Sequence, residues 1–361
     1  MPLQIAYFIS PHGFGHATRA AAVMAAIQTL TPAAHFEIFT RAPEWLFQTS
    51  LSGSFAYHNL VSDIGLVQRS PLEEDLQATL ERLEAFLPFD QALVNDLAEQ
   101  VQELACQLIV CDIAPLGIAV GAQAGIPSIL VENFTWDWIY AGYLEAERRF
   151  AKPIAILQEI FQSVNFHIQT EPVCNYTPSD LVTQPVSRAP RTSRGLTRQR
   201  LGVPEDAKMV LVTMGGIESS LAFADHPAAA DNLFFVLPGG SLQGSAHRRI
   251  ILPHHSDFYH PDLVQASNAI VGKAGYSTAA EAYLSGVPYI YTARAHFRET
   301  ATIASFIEKE LGGFEIQEEE FLEGGWIPGL MEILKKPKRL GEKQNGSEEA
   351  ARFILANLSA R

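Results

Sequence analysis

The sequence predicts an α/β protein made of two units in tandem. In each half, short apolar runs typical of buried strands alternate with helical segments, and the alternation restarts near residue 208, after a stretch rich in proline and arginine. Strands alternating with helices are typical of parallel sheets covered on both faces. The chain has 361 residues, 47% of them hydrophobic, which is enough for two ordinary cores.

In the first half, apolar runs predict strands that alternate with helices at residues 17–29, 71–105 and 117–124. The runs are Leu3–Ser10, Phe36–Thr40, Leu108–Cys111 and Ser128–Val131. In the second half, the corresponding runs are Met209–Met214, Phe234–Leu237, Ile250–Leu252, Ala269–Gly272 and Pro288–Thr292. We therefore expect a first domain over residues 1–187, a linker over 188–200, a second domain over 201–345 and a C-terminal helix over 346–361.

Charge disfavours a nucleic-acid partner, because the net charge is −14 and no excess of basic residues is present to meet phosphates. Residues 1–190 carry a net charge of −12 and the rest −2, so an anionic ligand is more easily bound by the second half. Five arginines without an acidic residue between them predict a solvated connector, with attraction to phosphate or to a membrane surface as the alternative. They are Arg188, Arg191, Arg194, Arg198 and Arg200.

The three cysteines, Cys106, Cys111 and Cys174, cannot form a closed disulfide framework and have no CxxC spacing, which favours a reducing compartment. The first ten residues lack the basic region and cleavage site of a signal peptide. The sequence contains no run of about 18 apolar residues, so it predicts no transmembrane helix. We expect a cytoplasmic protein.

A glycine- and histidine-rich loop over residues 11–16, here called the first loop, follows the first predicted strand. Ligands of open parallel sheets bind beyond the carboxyl ends of the strands, and glycines allow close approach of the backbone. His16 opens the next helix, where a neutral imidazole can take a proton from a hydroxyl group. The alternative is a helix cap or a packed polar side chain. The remaining candidate residues of the loop are His12, Gly13, Phe14 and Gly15.

Asp112 ends another predicted strand of the same sheet. A carboxylate at that position can orient a histidine and stabilise its cationic form. Aspartate is also a good N-cap for the helix that follows, and the two interpretations are equally weighted on sequence alone.

In the second half, Lys273 and Gly275 lie between a predicted strand and a predicted helix. The N–H groups near Ser277 and Thr278 would face an anion, with Lys273 adding a positive charge. Glu281 would lie near the same helix start and hold ribose hydroxyls, but Thr278 and Glu281 also have the spacing of a capping box. A weaker candidate, Gly215-Gly216, follows a strand and leaves room for a diphosphate. The sequence has no HExxH motif and no Cys/His cluster, so we expect no dedicated metal site.

These motifs resemble those of GT-B glycosyltransferases, in which two Rossmann-like domains enclose a cleft. The stretch 270–300, IVGKAGYSTAAEAYLSGVPYIYTARAHFRET, is similar to the donor signature of plant UDP-glycosyltransferases and to that of the peptidoglycan N-acetylglucosaminyltransferase. The resemblance implies that Glu281 holds the donor ribose, that Lys273 lies near the phosphates with Tyr276 beside it, and that Glu299 contacts the sugar. Thr300 replaces the usual glutamine. It further implies that His16 is the base and that Asp112 orients it.

A second resemblance covers residues 3–360. The motifs SPHGFGHATR, VENFTWDWIYAGY and VGKAGYSTAAEA are similar to the N-terminal glycosyltransferase-like region of plant L-arabinokinases, whose separate kinase half is missing here. Asn133, Trp136 and Asp137 in the second motif would face the cleft and contact the acceptor, with an aromatic core segment as the alternative.

Together the resemblances imply an enzyme that transfers a hexosyl or pentosyl group from a nucleotide-diphosphate donor, a UDP-sugar, to an unidentified hydroxyl acceptor. The reaction would be metal-independent and inverting, with no cofactor, since the nucleotide-sugar is a substrate. One alternative is a non-catalytic module that binds nucleotide-sugars or regulates a partner. A nucleotide-sugar epimerase is the third possibility, although the first loop lacks the Gly-Thr-Arg-Pro-Glu stretch of such enzymes. Peripheral contact with a membrane stays open.

Overall fold

The computed structural model describes residues 3–70, 73–213, 232–239, 244–246, 248–253, 256–335 and 343–359. These residues form an α/β structure around two separate sheets, so the predicted fold class is confirmed. No helix in these ranges is long and apolar enough to cross a membrane.

The first sheet has seven strands in the order β3-β2-β1-β6-β7-β8-β9, and every neighbouring pair is parallel. Strands β1, β6 and β7 are almost entirely buried, as expected of central strands covered on both faces. The strands are β1 Gln4–Ile9, β2 His35–Thr40, β3 Phe55–Asn59, β6 Leu108–Asp112, β7 Ser128–Glu132, β8 Phe166–Thr170 and β9 Leu181–Thr183. A separate antiparallel pair consists of β4 Gln68–Ser70 and β5 Glu73–Glu74.

Helices cover both faces of this sheet, and two of them begin at aspartate N-caps, Asp75 and Asp90. Their bounds are α1 Gly15–Leu30, α2 Glu44–Ser50, α3 Leu76–Phe86, α4 Gln91–Glu103, α5 Pro115–Ala124, α6 Trp136–Ala141 and α7 Ala151–Gln162. Helix α1 is rich in alanine and packs closely on the sheet, where Ala17, Ala20 and Ala21 are fully buried.

The second sheet has six strands in the order β12-β13-β11-β10-β14-β15, with only the edge strand β12 antiparallel to its neighbour. The strands are β10 Lys208–Thr213, β11 Leu233–Pro238, β12 Gly244–Ala246, β13 Arg249–Leu252, β14 Ala269–Lys273 and β15 Tyr289–Thr292. The helices of this half are α8 Arg194–Leu201, α9 His260–Ala266, α10 Tyr276–Ser285, α11 Glu299–Phe306, α12 Glu318–Glu323 and α13 Ile327–Ile333.

The last helix, α14 Gly346–Ser359, returns to the first half of the chain. Its apolar residues Ala350, Ala351 and Ile354 are fully buried in the same cluster as Ile27 of α1 and Val186. The polypeptide therefore crosses twice between the two halves.

The arginine-rich stretch differs from the solvated connector that the sequence predicts. Residues 194–201 form α8, and Arg188 and Arg198 are 9% and 2% exposed. Arg198 donates to the carbonyl oxygens of Ala266 and Pro204, at 3.0 and 2.8 Å. The prediction of solvated side chains is wrong for these two residues because backbone carbonyls and a carboxylate, which a charge pattern does not show, are their partners.

Candidate functional site

The first loop joins β1 to α1 at the carboxyl edge of the first sheet. Gly13 adopts a positive φ of 66°, which glycine tolerates without strain, and turns the chain toward the helix. Gly13 and Phe14 are exposed, whereas His16, in the first turn of α1, is buried. His12 lies behind the loop, where its Nδ1 accepts a hydrogen bond from the backbone N–H of Leu66 at 3.3 Å.

His16 and Asp112 meet at this edge, as the resemblance implies. Asp112 is the last residue of β6, which pairs with β1 so that Asp112 lies opposite Ile9. The Nδ1 atom of His16 lies 3.1 Å from Oδ1 of Asp112. Because an ionised carboxylate only accepts hydrogen bonds, we assign the proton to Nδ1; Nη2 of Arg19, 3.3 Å from the same nitrogen, then donates to Asp112 and not to His16. Nε2 is then left with a lone pair that can accept a proton.

A third residue, Arg19, completes this group and was not among the residues predicted from sequence. It lies one turn after His16 on α1, is 2% exposed, and donates to both carboxylate oxygens of Asp112, Nε to Oδ2 at 2.9 Å and Nη2 to Oδ1 at 2.7 Å. Asp112 is fully buried. The guanidinium therefore supplies the charge compensation that a buried carboxylate requires.

The pKa values of this pair follow from burial and from their mutual attraction. Burial on its own raises the pKa of Asp112, but Arg19 and the hydrogen bond from His16 outweigh it and hold the pKa below its usual range. Burial opposes the charge of Arg19, and the Asp112 carboxylate nevertheless raises the pKa of the guanidinium above its usual value. Both groups are charged at neutral pH.

Arg19 also begins a chain of hydrogen bonds that reaches the second half of the protein. Its Nη1 donates to Oδ1 of Asn133 at 2.6 Å, and Nδ2 of Asn133 donates to Oε1 of Glu299 at 2.8 Å. Glu299 begins α11. Two residues that the sequence analysis assigned to opposite sides of the cleft, Asn133 and Glu299, are thus in direct contact.

The other residues of the NFTWDW motif lie next to the first loop. Trp136 is fully buried, with its ring edge-on to His12 at 5.2 Å between ring centroids and stacked on Tyr140 at 5.6 Å. This burial favours the aromatic-core interpretation for Trp136. Asp137 follows in the first turn of α6 and is half-buried.

In the second half, β14 ends at Lys273 and α10 begins at Tyr276, with Gly275 as its N-cap. Ser277 and Thr278 lie in the first turn, as expected. The ring of Tyr276 lies 5.0 Å from the guanidinium carbon of Arg19, and its hydroxyl accepts from the backbone N–H of Val186 at 3.1 Å. The start of α10 therefore lies directly against the carboxyl edge of the first sheet.

Glu281 does not form the capping box that its spacing with Thr278 allows, because the N-cap of α10 is Gly275 and makes no side-chain cap. Instead, its Oε1 accepts from Nε and Nη2 of Arg188, at 3.2 and 2.9 Å, and its Oε2 is 2.6 Å from Nδ1 of His260. Burial on its own raises the pKa of Glu281, but Arg188 and His260 outweigh it and lower the pKa. Both carboxylate oxygens are engaged by side chains that the sequence analysis did not assign to this site.

Two predicted donor-site residues, Gly215 and Gly216, lie outside the described residues. Within the described ranges, no group of three or more His, Cys, Asp or Glu side chains is arranged to hold a metal ion.

Many solved structures resemble the chain over nearly its whole length, and three of them serve as examples. They are a UDP-glucosyltransferase from Polygonum tinctorium (TM-score 0.63, 16% identity, 100% of this chain and 99% of that one), the spinosyn forosaminyltransferase SpnP (0.62, 14%, 99% and 95%) and the calicheamicin glycosyltransferase CalG4 (0.60, 13%, 100% and 95%). The chain has the GT-B fold. The resemblance predicted from the donor-signature motif is confirmed at the level of the fold.

In sequence, this GT-B chain is 30% identical to the L-arabinokinase of Arabidopsis thaliana over 366 residues, which is 98% of the chain and 34% of the relative. The chain thus spans about a third of that protein, and the predicted resemblance is confirmed. No protein-family profile matches the chain. With the two domains of the GT-B fold as reference, the first domain contains His16, Asp112 and Arg19. The second domain contains Lys273, Tyr276, Glu281 and Glu299.

Proposed function

We propose that the chain transfers a sugar from a nucleotide-diphosphate donor, a UDP-sugar, to a hydroxyl group of an acceptor. The observation that carries this proposal is that an oriented imidazole of one domain lies close to the start of a helix of the other domain. His16 in the first domain has its Nδ1 held by Asp112, and α10 in the second domain begins against the same edge. This arrangement supports a reaction in which one domain supplies the base for the acceptor and the other supplies the site for the leaving diphosphate.

In the proposed reaction, Nε2 of His16 takes the acceptor proton while the acceptor oxygen attacks C1 of the donor sugar. The bond from C1 to the diphosphate oxygen breaks on the opposite face, so the anomeric centre is inverted. The Asp112 carboxylate holds the imidazolium in place. Because Arg19 already neutralises Asp112, the stabilisation of the imidazolium is weaker than that from an unpaired carboxylate.

The leaving diphosphate would be stabilised by Lys273 and by the free N–H groups in the first turn of α10, which carries the positive end of the helix dipole. Glu281 would accept from the ribose hydroxyls with the lone pairs that Arg188 and His260 leave. Glu299, whose Oε1 accepts from Asn133, would contact the transferred sugar with its second oxygen.

A second candidate function is a non-catalytic module that binds a nucleotide-sugar. Two observations favour it: Arg19 occupies both oxygens of Asp112, and the similar region of the L-arabinokinase is only a third of that protein. This function predicts donor binding without turnover, and a response to donor that does not depend on His16.

Thermal unfolding in the presence of UDP, GDP, dTDP, ADP and their common sugar conjugates tests the proposal directly. A ligand present at 100 times its dissociation constant adds about 2.7 kcal/mol to the free energy of unfolding. We expect the uridine compounds to stabilise the protein and the others to have little effect. If none of the compounds raises the melting temperature, both the transferase and the nucleotide-sugar module are contradicted.

The affinity for the diphosphate should fall as the pH rises through about 8. Burial, together with the nearby charge of Arg294, lowers the pKa of Lys273 to about 8. A diphosphate prefers the charged ammonium form, so each pH unit above that pKa weakens binding by up to about tenfold. Isothermal titration of UDP between about pH 7 and about pH 10 measures this slope.

The matched control is Lys273→Gln, which removes the titrating group and should flatten the pH profile in this range. A profile that is the same in both proteins would exclude Lys273 from the phosphate site.

A further inference from the structure

A second basic side chain, Arg294, lies beside Lys273 at the carboxyl edge of the second sheet. Lys273 ends β14 and pairs in register with Thr292, the last residue of β15. Arg294 follows two residues later, so the two cations emerge from adjacent strand ends. The sequence analysis assigned no role to Arg294.

Arg294 is buried, and two of its three guanidinium nitrogens have no hydrogen-bond partner among the described residues. It is 7% exposed, and the two nitrogens are Nε and Nη1. Oε1 of Glu74 forms an ion pair with Nη1 at 3.9 Å, which is beyond hydrogen-bond distance, and this oxygen has no hydrogen-bond partner in the part of the chain that the structure describes. Leaving such donors unpaired is costly, and most buried guanidinium groups are fully paired.

The surroundings hold Arg294 in place while leaving these donors free. Its guanidinium carbon lies 3.6 Å from the ring centroid of Phe297, which fixes the plane of the group. The carboxylates that act on its charge are Glu299 and Glu74, the latter from the β4-β5 pair of the first domain.

The positive charge of Arg294 also affects His12 of the first loop. Burial and then Arg294 lower the pKa of His12, and the same two causes lower the pKa of Lys273. His12, Lys273 and Arg294 therefore lie in one region where the two domains meet, and the ring of Phe297 contacts both His12 and Arg294. An anion entering this region would meet two free donors on Arg294 and the ammonium group of Lys273, whose charged form it would stabilise.

We propose that Arg294 is an oxyanion-binding residue of the cleft, and that Glu74 is the counter-ion that the incoming oxyanion replaces. The ligand group is a phosphate or carboxylate oxygen that accepts hydrogen bonds from Nε and Nη1 of Arg294. It comes either from the diphosphate of the donor or from a carboxylate on the transferred sugar. The identity of this ligand rests on the proposed function, whereas the anion site rests on the unpaired guanidinium itself.

Isothermal titration of four probes into the wild-type chain and into Arg294→Gln tests the proposal. The probes are inorganic pyrophosphate, UDP, UDP-glucose and UDP-glucuronic acid. Loss of a charged hydrogen bond weakens binding by about 10- to 100-fold. A loss of this size for all four probes assigns Arg294 to the diphosphate, and a loss confined to UDP-glucuronic acid assigns it to a sugar carboxylate. Both results support the proposal.

The matched control is Arg298→Gln, because Arg298 lies on the same loop but is exposed and donates to the carbonyl oxygen of Trp138. It should bind all four probes as the wild type does. A second variant, Glu74→Gln, removes the counter-ion and should strengthen binding of the affected probes several-fold. The melting temperature of each variant shows that it is folded.

Three results overturn the proposal. The first is unchanged affinity of Arg294→Gln for every probe that the wild type binds, and the second is an equal loss in Arg298→Gln. The third is a wild-type chain that binds none of the probes. If pyrophosphate binds in an Arg294-dependent manner and no nucleotide compound binds, the anion site stands and the proposed function fails. If the nucleotide compounds bind and their affinity does not depend on Arg294, the proposed function stands and the anion site at Arg294 fails.

Discussion

Replacing His16 by Ala is expected to lower the rate of sugar transfer by about 10²- to 10⁴-fold, the usual contribution of a general base. Donor affinity should be unchanged, because the proposed donor site is formed by residues of the second domain. Nε2 of His16 is the ring nitrogen that Asp112 leaves free, so no other atom of this residue can take the acceptor proton. Turnover of a UDP-sugar with an acceptor mixture, together with titration of UDP, measures the two quantities separately.

The control for this experiment is His35→Ala. His35 begins β2, at the edge of the first sheet opposite to the first loop, where it contacts Ser54 and Glu37. Its replacement should leave turnover unchanged. A His16→Ala protein with wild-type turnover would remove His16 from the role of base, and donor binding without turnover in both proteins would favour the non-catalytic module.

Replacing Arg19 by Met is expected to lower the free energy of unfolding by about 3–5 kcal/mol, as when one partner of a buried ion pair is removed. Asp112 would then be fully buried with only His16 as a side-chain partner, and Asn133 would lose a donor at 2.6 Å. Urea denaturation at neutral pH measures the loss. The double variant Arg19→Met/Asp112→Asn removes the unpaired charge and should recover a large part of the stability.

The effect of Arg19→Met should also depend on pH with a defined sign. In the wild type, the lowered pKa of Asp112 contributes stability at neutral pH that is lost as the pH falls through that pKa. In the variant, the buried charge of Asp112 lacks its guanidinium partner and lowers the stability of the folded protein. Protonation of Asp112 at low pH removes this cost. The difference in stability between the two proteins should therefore narrow as the pH falls toward about 4. A difference that is independent of pH would point to lost packing instead.

The buried strands of both sheets were predictable because their residues form continuous apolar runs. Residues 4–9 and 108–112 are examples, and they fix the positions of His16 and Asp112 at one edge. The strand Phe55–Asn59 was missed because it alternates and is only partly buried at the edge of the sheet. Strand β9 was missed because it has only three residues and lies among prolines.

The partners of the site residues were not predictable in the same way. Arg19 is a single arginine in an alanine-rich helix, and its contacts are 93 and 114 positions away in the sequence, at Asp112 and Asn133. Arg188 was assigned to a solvated linker because its sequence neighbours are basic, yet its partner, Glu281, lies 93 positions away. Local patterns indicate which residue types occur at a strand end, whereas long-range pairing depends on how the two domains pack.

The double crossing between the domains determines how they can move. The two crossing segments lie side by side: Nδ2 of Asn345 donates to the carbonyl oxygen of Ser187 at 2.7 Å, and the N–H of Gly346 donates to that of Pro185 at 3.1 Å. Any side chain at Gly346 would meet the carbonyl oxygen of Gln184 at 1.9 Å, so the spacing is as close as two backbones allow. Because two segments held together by hydrogen bonds join the domains, a twist of one domain against the other would have to displace one segment along the other. A twist of that kind would break the hydrogen bonds between the segments, whereas bending both segments together would leave them intact, so the double connection favours bending over twisting.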